Sequence, residues 1–181
     1  MYDALIFLAE GFEEIEALAT LDILRRGGVV AVSVSLTGRH EVTGSRDVTV
    51  HADIVFDQID DTAETMLILP GGPGTANYKK HEILLELLRL HNSDGGHIAA
   101  ICAAPTVLGM LGLLWNKTAV CYPTLENELK AAKIGQCNTI TDGNITTSKG
   151  PATTMDFAFE LLRILKGNEV AAEVAEKMLI Q

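Results

Sequence analysis

The residue with the clearest chemical signal is a cysteine, Cys102, at the end of a short apolar run. The run His97–Ile101 has the composition of a buried strand, and Pro105 suits the first turn of a following helix, where a missing N–H is harmless. Small alanines on both sides would let strand and helix pack closely. Such a strand–turn–helix is typical of a nucleophile elbow, where the helix dipole favours a thiolate. The alternative is that Cys102 is a small buried hydrophobic residue.

The usual partner of a nucleophilic thiol, a histidine later in the chain, is missing. All five histidines precede Cys102. A triad of the class I glutamine amidotransferase type needs a late His-x-Glu pair, and a peptidase of the intracellular-protease type needs a histidine at the position of Ala103. The sequence therefore disfavours amidotransferase-like or peptidase hydrolysis by a Cys–His–acid triad.

A carboxylate, Glu16, is the remaining candidate partner of the thiol. It lies on the apolar face of the predicted helix Glu13–Arg26. An inward carboxyl is costly unless it is hydrogen-bonded or neutral, so we expect a raised pKa and a proton that can be donated to the thiolate or exchanged with a substrate. The neighbouring Glu13 and Glu14 are interpreted as ordinary partners of the helix dipole.

Composition indicates one globular domain over residues 1–181. The chain has 48% hydrophobic and 21% charged residues, enough for one core. The net charge of −10, with scattered basic residues, argues against specific nucleic-acid binding. The apolar runs are too short to span a membrane, and no leader segment is recognised. Three cysteines form no even disulfide set, so we expect a cytoplasmic protein with free thiols.

Motifs for cofactors are missing as well. The sequence has no G-x-G-x-x-G after the first strand and no phosphate-binding loop of the G-x-x-x-x-G-K-[ST] type. It has no H-x-x-x-H, no cysteine pair at ligand spacing and no Asp-rich loop. We therefore expect neither a nucleotide, nor a metal, nor another cofactor.

Short apolar strands alternate with amphipathic helices along the chain. This alternation predicts an α/β fold, a mostly parallel sheet with helices on both faces, whose chemistry collects at the carboxyl ends of the strands. Residues 37–56 are expected as a strand or hairpin excursion at the sheet edge. The predicted strands cover residues 4–9, 29–36, 66–69, 97–101, 118–121 and 145–147, and the predicted helices 13–26, 82–91, 105–114, 125–132, 154–166 and 169–179.

Six motifs follow one another along nearly the whole chain. They are Gly11–Glu16, Ser45–Asp47, Leu69–Gly72, Ala99–Pro105, Thr147–Pro151 and Val170–Ala172. In this order they resemble the ThiJ/PfpI superfamily, and within it the DJ-one and YajL-like branch. The resemblance implies a flavodoxin-like homodimer, with Cys102 as the nucleophile on the elbow and Glu16 as its protonated partner.

The resemblance also implies roles for backbone amides and arginines. Gly72 and Ala103 match the family's oxyanion donors, with Gly71 beside them, and such amides could stabilise charge on an attacked carbonyl oxygen. Arg26 and Arg46 match family arginines near the dimer and anion-binding region.

Two positions depart from the family pattern. Tyr122 stands where the human branch has a site histidine before a proline, and a tyrosine can supply a hydroxyl but cannot act as a near-neutral base. Pro73, after Gly72, has no N–H and removes one conceivable oxyanion donor. Both departures weigh against efficient general-base chemistry.

Two functions remain open at this point. The resemblance implies a cofactor-free enzyme of small reactive carbonyls, of glyoxalase-III or deglycase type, that converts methylglyoxal to lactate in stress protection. There the Cys102 thiolate would add to the aldehyde while Glu16 moves the proton. The alternative is an oxidation-sensing redox chaperone with little turnover. Both functions use the same Cys102–Glu16 pair, so the sequence does not separate them.

Overall fold

A seven-stranded sheet forms the centre of the protein. The computed structural model describes residues 2–60, 62–130 and 133–180. Within them the strands are β1 (Ala4–Leu8), β2 (Ala31–Ser35), β3 (Glu41–Thr43), β4 (Thr49–His51), β5 (Ile54–Val55), β6 (Met66–Leu69), β7 (Ile98–Ile101), β8 (Thr118–Ala119), β9 (Lys133–Ile134), β10 (Thr139–Asp142) and β11 (Ile145–Ser148). The central sheet has the order β10-β11-β7-β6-β1-β2-β5, and every pairing in it is parallel except β10 with β11.

Helices cover both faces of this sheet. They are α1 (Glu14–Arg26), α2 (Thr75–Tyr78), α3 (Glu82–Ser93), α4 (Pro105–Met110), α5 (Thr154–Lys166) and α6 (Asn168–Lys177), with short 3₁₀ turns at Phe56–Gln58, Glu126–Leu129 and Pro151–Thr153. Alternate residues of a strand point to opposite faces. Ile6 of β1 therefore belongs to the core under α1 and α5, whereas Phe7 belongs to the core under α3 and α4. The predicted fold class, a flavodoxin-like α/β sandwich, is confirmed.

The topology brings the loops that carry the chemistry to one edge. β1, β6, β7 and β11 are neighbours in the sheet and run parallel. Their carboxyl ends therefore meet, and the segments that follow them meet too. These segments are the start of α1, the Pro70–Gly74 loop, the turn at Cys102 and the Lys149–Pro151 loop.

Two predicted elements are wrong in extent or pairing, and a third is confirmed. The helix predicted over residues 105–114 ends at Met110, and the chain reverses through Gly112, whose φ of +75° suits a glycine. The strand predicted over 118–121 is only Thr118–Ala119, and it pairs with β9 rather than with the central sheet. The strand or hairpin excursion predicted at the sheet edge over residues 37–56 is confirmed: it is the β3–β4 hairpin followed by β5, the edge strand beside β2.

The region before β11 was predicted least well. The helix predicted over residues 125–132 is a 3₁₀ turn at Glu126–Leu129, and its last two positions, Ala131 and Ala132, lie outside the described residues. The antiparallel strand β10 was missed because Thr139–Asp142 contains a single strongly apolar residue, Ile140. An edge strand with polar side chains gives little periodic signal.

Candidate active site

Cys102 lies in the predicted sharp turn between β7 and α4. Its φ is +65°, a left-handed conformation that costs a residue with a side chain about 1–2 kcal/mol. Two hydrogen bonds hold it there: the Cys102 N–H donates to the Ser148 carbonyl (3.0 Å), and the Cys102 carbonyl accepts from the Tyr122 N–H (2.7 Å). Strain fixed in this way is the geometry of a nucleophile elbow, and it turns the thiol towards the site.

Glu16 is completely buried in the first turns of α1. Its Oε2 accepts a hydrogen bond of 2.7 Å from the Gly71 N–H, and the carboxyl also interacts with the Cys102 thiol. Among the described residues, Oε1 accepts no hydrogen bond of good geometry. Burial raises the pKa of Glu16 to about 7, although the hydrogen bonds from Gly71 and Cys102 lower it. The prediction of an inward carboxyl with a raised pKa is confirmed.

Gly71 and Gly72 let the loop after β6 pass between α1 and the elbow. A Cβ on Gly71 would lie 2.6 Å from the Cys102 Cβ and 2.9 Å from Glu16 Oε2. Gly72 has a φ of +88°, and a Cβ there would lie 2.7 Å from both the Glu13 nitrogen and the Gly11 carbonyl oxygen. There is therefore no room for a side chain at Gly71 or Gly72, and only a glycine backbone fits beside the thiol and the carboxyl.

Several groups act on the pKa of the Cys102 thiol in opposite directions. Burial is the main cause that raises its pKa to about 12, and the charge of Glu16 adds to it, while the N–H groups of Gly72 and Ala103 lower it. The expected lowering by the helix dipole is thus outweighed by burial and by the facing carboxylate. Since the second cause disappears when Glu16 is protonated, the two groups titrate as a coupled pair. This pair loses its first proton near neutral pH.

A cavity of about 390 Å³ opens over the thiol. Tyr122 stands at its mouth with an exposed side chain, close to the backbone of Gly150. The cavity is large enough for a small organic substrate and has a nucleophile and hydrogen-bond donors on its wall. Its lining residues are Glu13, Ser45, Arg46, Gly72, Pro73, Cys102, Ala103, Tyr122 and Pro151.

The tip of the β3–β4 hairpin is fixed to α1 through Glu14. One Glu14 oxygen accepts from the Arg46 N–H (2.6 Å) and the other from the Ser45 hydroxyl (3.1 Å). Burial works to raise the pKa of Glu14, but these hydrogen bonds outweigh it and lower the pKa. Glu14 therefore brings Arg46 to the cavity. Arg26, by contrast, is exposed at the end of α1, pairs with Asp22 at 2.6 Å and does not line the cavity.

The structure thus brings together most of the site residues inferred from sequence, and Arg26 is the one it leaves apart. Glu13 was missed as a site residue. It caps α1 by accepting a hydrogen bond of 2.8 Å from the Glu16 N–H, and it lines the cavity. Its position three residues before Glu16, at the start of a helix, was the available signal.

Other kinds of site find no support in the described residues. Across residues 2–60, 62–130 and 133–180, no group of three or more His, Cys, Asp or Glu side chains could hold a metal ion. No helix in the same ranges has the length and apolar character to cross a membrane.

A mostly parallel α/β domain with a cysteine elbow facing a buried glutamate defines a class of thiol proteins, and sequence comparison identifies its family. The model of the DJ-1/PfpI family matches residues 2–164, and the chain belongs to this family. Protein dj-1beta of Drosophila melanogaster is 38% identical over 98% of this chain and 96% of its own length. The glutathione-independent glyoxalase DJR-1.2 of Caenorhabditis elegans is 31% identical over 92% of this chain and 90% of its own length.

Solved structures agree with this assignment. The crystal structure of Drosophila DJ-1beta has a TM-score of 0.91 and 36% identity, with complete coverage of both chains. The structure of oxidized DJ-1 from Toxoplasma gondii has a TM-score of 0.90 and 34% identity, and covers 99% of this chain and 98% of that one.

Proposed function

We propose that this protein is a cofactor-independent cysteine enzyme that acts on small reactive carbonyl compounds or their adducts. The observation that carries the proposal is a completely buried carboxyl, Glu16, whose pKa is raised to about 7 and which faces the thiol of Cys102 beside a small open cavity. Such a pair holds a proton that can move at neutral pH, which carbonyl rearrangement requires. A role in stress protection in the cytoplasm is part of the proposal.

The first step is addition to the aldehyde carbon. With the shared proton on Glu16, the Cys102 thiolate forms a C–S bond to the aldehyde carbon of methylglyoxal. The oxygen that gains charge accepts hydrogen bonds from the Gly72 and Ala103 N–H groups, which now lie against the sulfur. Glu16 then gives its proton to that oxygen, which leaves a hemithioacetal and a Glu16 carboxylate.

The second step moves hydrogen between neighbouring carbons. The Glu16 carboxylate takes the proton from the former aldehyde carbon and returns it to the adjacent carbon, while the hydroxyl proton passes between the two oxygens. The first carbon is thereby oxidised and the second reduced, and the product is a thioester of lactate on Cys102. Water cleaves the C–S bond, releases lactate and restores the starting pair.

The name of one relative supports this reaction class. The Caenorhabditis elegans protein is named a glutathione-independent glyoxalase, and it matches most of both chains. Tyr122 and Pro73 line the cavity, and the steps above use neither a side-chain base at Tyr122 nor an N–H at Pro73, so neither departure removes a group that they need.

A second candidate function is oxidation sensing by the same thiol. Two observations favour it: the N–H groups of Gly72 and Ala103 would stabilise the oxygens of a sulfenate or sulfinate on Cys102, and a relative of similar structure has been solved as an oxidized protein. In this case Glu16 would donate a hydrogen bond to the oxidised sulfur, and turnover would be low.

Lactate formation separates the two functions. Purified protein is incubated with methylglyoxal in the absence of glutathione, and lactate is measured enzymatically. We expect steady production over many turnovers per Cys102. A stoichiometric loss of methylglyoxal without lactate, together with ready oxidation of Cys102, would reject the enzyme and support the sensor.

We propose further that the protein is a homodimer formed through the face around the cavity mouth. Three apolar side chains are exposed on elements near the site: Ile15 of α1, Val48 of the hairpin and Met155 of α5. Arg26 lies on the same outward face of α1 as Ile15. Light scattering at micromolar concentration is expected to give twice the chain mass, and a monomer would reject this proposal.

A further inference from the structure

Glu13 connects the cavity to the backbone of Glu16. Its Oε2 accepts from the Glu16 N–H (2.8 Å), and its own N–H donates to the Gly71 carbonyl (3.0 Å). The Gly71 N–H in turn donates to the Glu16 carboxyl (2.7 Å). Glu13 therefore holds both the helix turn that carries Glu16 and the loop that supplies its hydrogen-bond donor.

The charge of Glu13 acts on the same group. A second negative charge close by disfavours ionisation of a buried carboxyl, and Glu13 contributes to the raised pKa of Glu16 in this direction. Two other titratable groups interact with Glu16, and one cation lines the same cavity. Cys102 shares a proton with Glu16, the hydroxyl of buried Tyr78 donates a hydrogen bond to the Phe7 carbonyl, and Arg46, of opposite charge, is among the residues that line the cavity. Arg46 is exposed, so water screens it.

We propose that Glu13 is a positioning residue of this site, whose carboxylate anchors the backbone of Glu16 and whose negative charge retains the proton shared by Glu16 and Cys102. The inference rests on the proposed function, because it assigns a role only if that proton is shared. If Glu13 only capped the helix, any acceptor oxygen would serve, whether charged or neutral. Retaining the proton needs the negative charge itself.

Replacing Glu13 by glutamine separates the two roles. Glu13→Gln keeps a carbonyl oxygen for the Glu16 N–H and removes the charge. The rate of Cys102 alkylation by iodoacetamide is followed against pH at low ionic strength, with the modified cysteine identified by mass spectrometry. Without the charge the pair releases its first proton more readily, so we expect the inflection to shift down by about one pH unit. Glu41→Gln, the same change at an exposed position on β3, should leave it unmoved.

Two further variants make the result decisive. Glu13→Ala removes cap and charge, so it should shift the inflection as Glu13→Gln does and also lower the thermal unfolding midpoint. If both variants keep the wild-type inflection and Glu13→Ala is merely less stable, Glu13 is a cap and the inference is wrong. If Glu16→Gln also leaves the alkylation profile unchanged, the pair is not coupled, and the proposed function fails together with the inference.

Discussion

Cys102 and Cys121 are both buried thiols, and the pKa of each is raised to about 12. Burial is the largest cause in both cases. At Cys121 the further causes are two carboxylates on the loop beside it, Glu126 and Glu128, and the thiol donates a hydrogen bond of 3.4 Å to the Tyr122 carbonyl. At Cys102 the further cause is Glu16, and two N–H groups oppose it.

The two cysteines differ in the carboxylate that raises the pKa of the thiol, and in whether a proton near neutral pH can neutralise it. Glu16 has a pKa of about 7, so at neutral pH a single proton can remove its charge and with it that charge's contribution to the raised pKa of Cys102, while the contribution of burial stays. Neither such a partner nor opposing amides act on Cys121 among its interactions in the described residues. Burial by itself therefore does not identify a reactive cysteine. The titratable carboxyl and the N–H groups around the thiol are what distinguish Cys102 from Cys121.

Replacing each cysteine in turn should show the largest difference between Cys102 and Cys121. We expect Cys102→Ser to lower lactate production from methylglyoxal by about 10³-fold, because a hydroxyl without a neighbouring base is a poor nucleophile. Cys121→Ser should change it less than about twofold, and Cys137→Ser likewise, since Cys137 is exposed and neither cysteine lines the cavity. Circular dichroism and thermal unfolding verify folding. A well-folded Cys102→Ser protein with most of its turnover would remove the nucleophile assignment.

Glu16→Gln should have the next largest effect on turnover. Glutamine keeps the shape and can still donate a hydrogen bond to Cys102, but it cannot exchange a proton. Turnover should therefore fall by about 10²-fold or more, while Cys102 can still be alkylated and oxidised. Equal turnover in the two proteins at pH 7 would show that Glu16 does not move the proton.

The same substitution predicts a pH dependence of stability. The pKa of Glu16 rises from 4.5 in the unfolded reference to about 7 in the folded protein, so the folded state binds more protons between these values. Wild-type stability should then fall relative to Glu16→Gln as pH rises from 4.5 to 7, by up to about 3 kcal/mol, and stay level above. His97, whose pKa burial lowers to about 4, titrates in both proteins and cancels in the comparison. Urea unfolding at pH 4.5 and pH 8 measures the difference, and a pH-independent difference would contradict the buried, neutral carboxyl.

Glycine substitutions test how tightly the site is packed. Gly71→Ala places a methyl group 2.6 Å from the Cys102 Cβ, so loop or elbow must move; we expect about 2 kcal/mol of lost stability and a large loss of turnover. Gly150→Ala is the control, because a Cβ there meets Tyr122 at 3.4 Å and the Cys102 sulfur at 4.0 Å, ordinary contacts. It should cost less than about 1 kcal/mol. Equal losses in chemical denaturation would mean that the loop after β6 is more adaptable than its contacts indicate.

The sequence predicted the parts of the site that depend on local pattern and strand order. Cys102 after a buried run, and Glu16 on the inward face of a helix, follow from periodicity. Their meeting follows from the parallel order of β1, β6 and β7. The depth of burial around the thiol did not follow, and for this reason the direction of the Cys102 pKa was wrong. Glu13 was missed because a surface-type acid in a first turn looks the same in sequence whether it faces water or a cavity.

The backbone of Tyr122 links the two cysteine regions, and a change to its side chain is expected to have a small effect. Its N–H donates to the Cys102 carbonyl, and its own carbonyl accepts from the Cys121 thiol, so its backbone links both thiols whatever the side chain. The side chain is about half exposed, with its ring beside Gly150 at the cavity mouth. Tyr122→Phe keeps the ring and the backbone, so lactate production should change less than about threefold, with unaltered Cys102 alkylation. A loss above about tenfold in kcat, with KM unchanged, would instead make the hydroxyl a proton donor in the reaction.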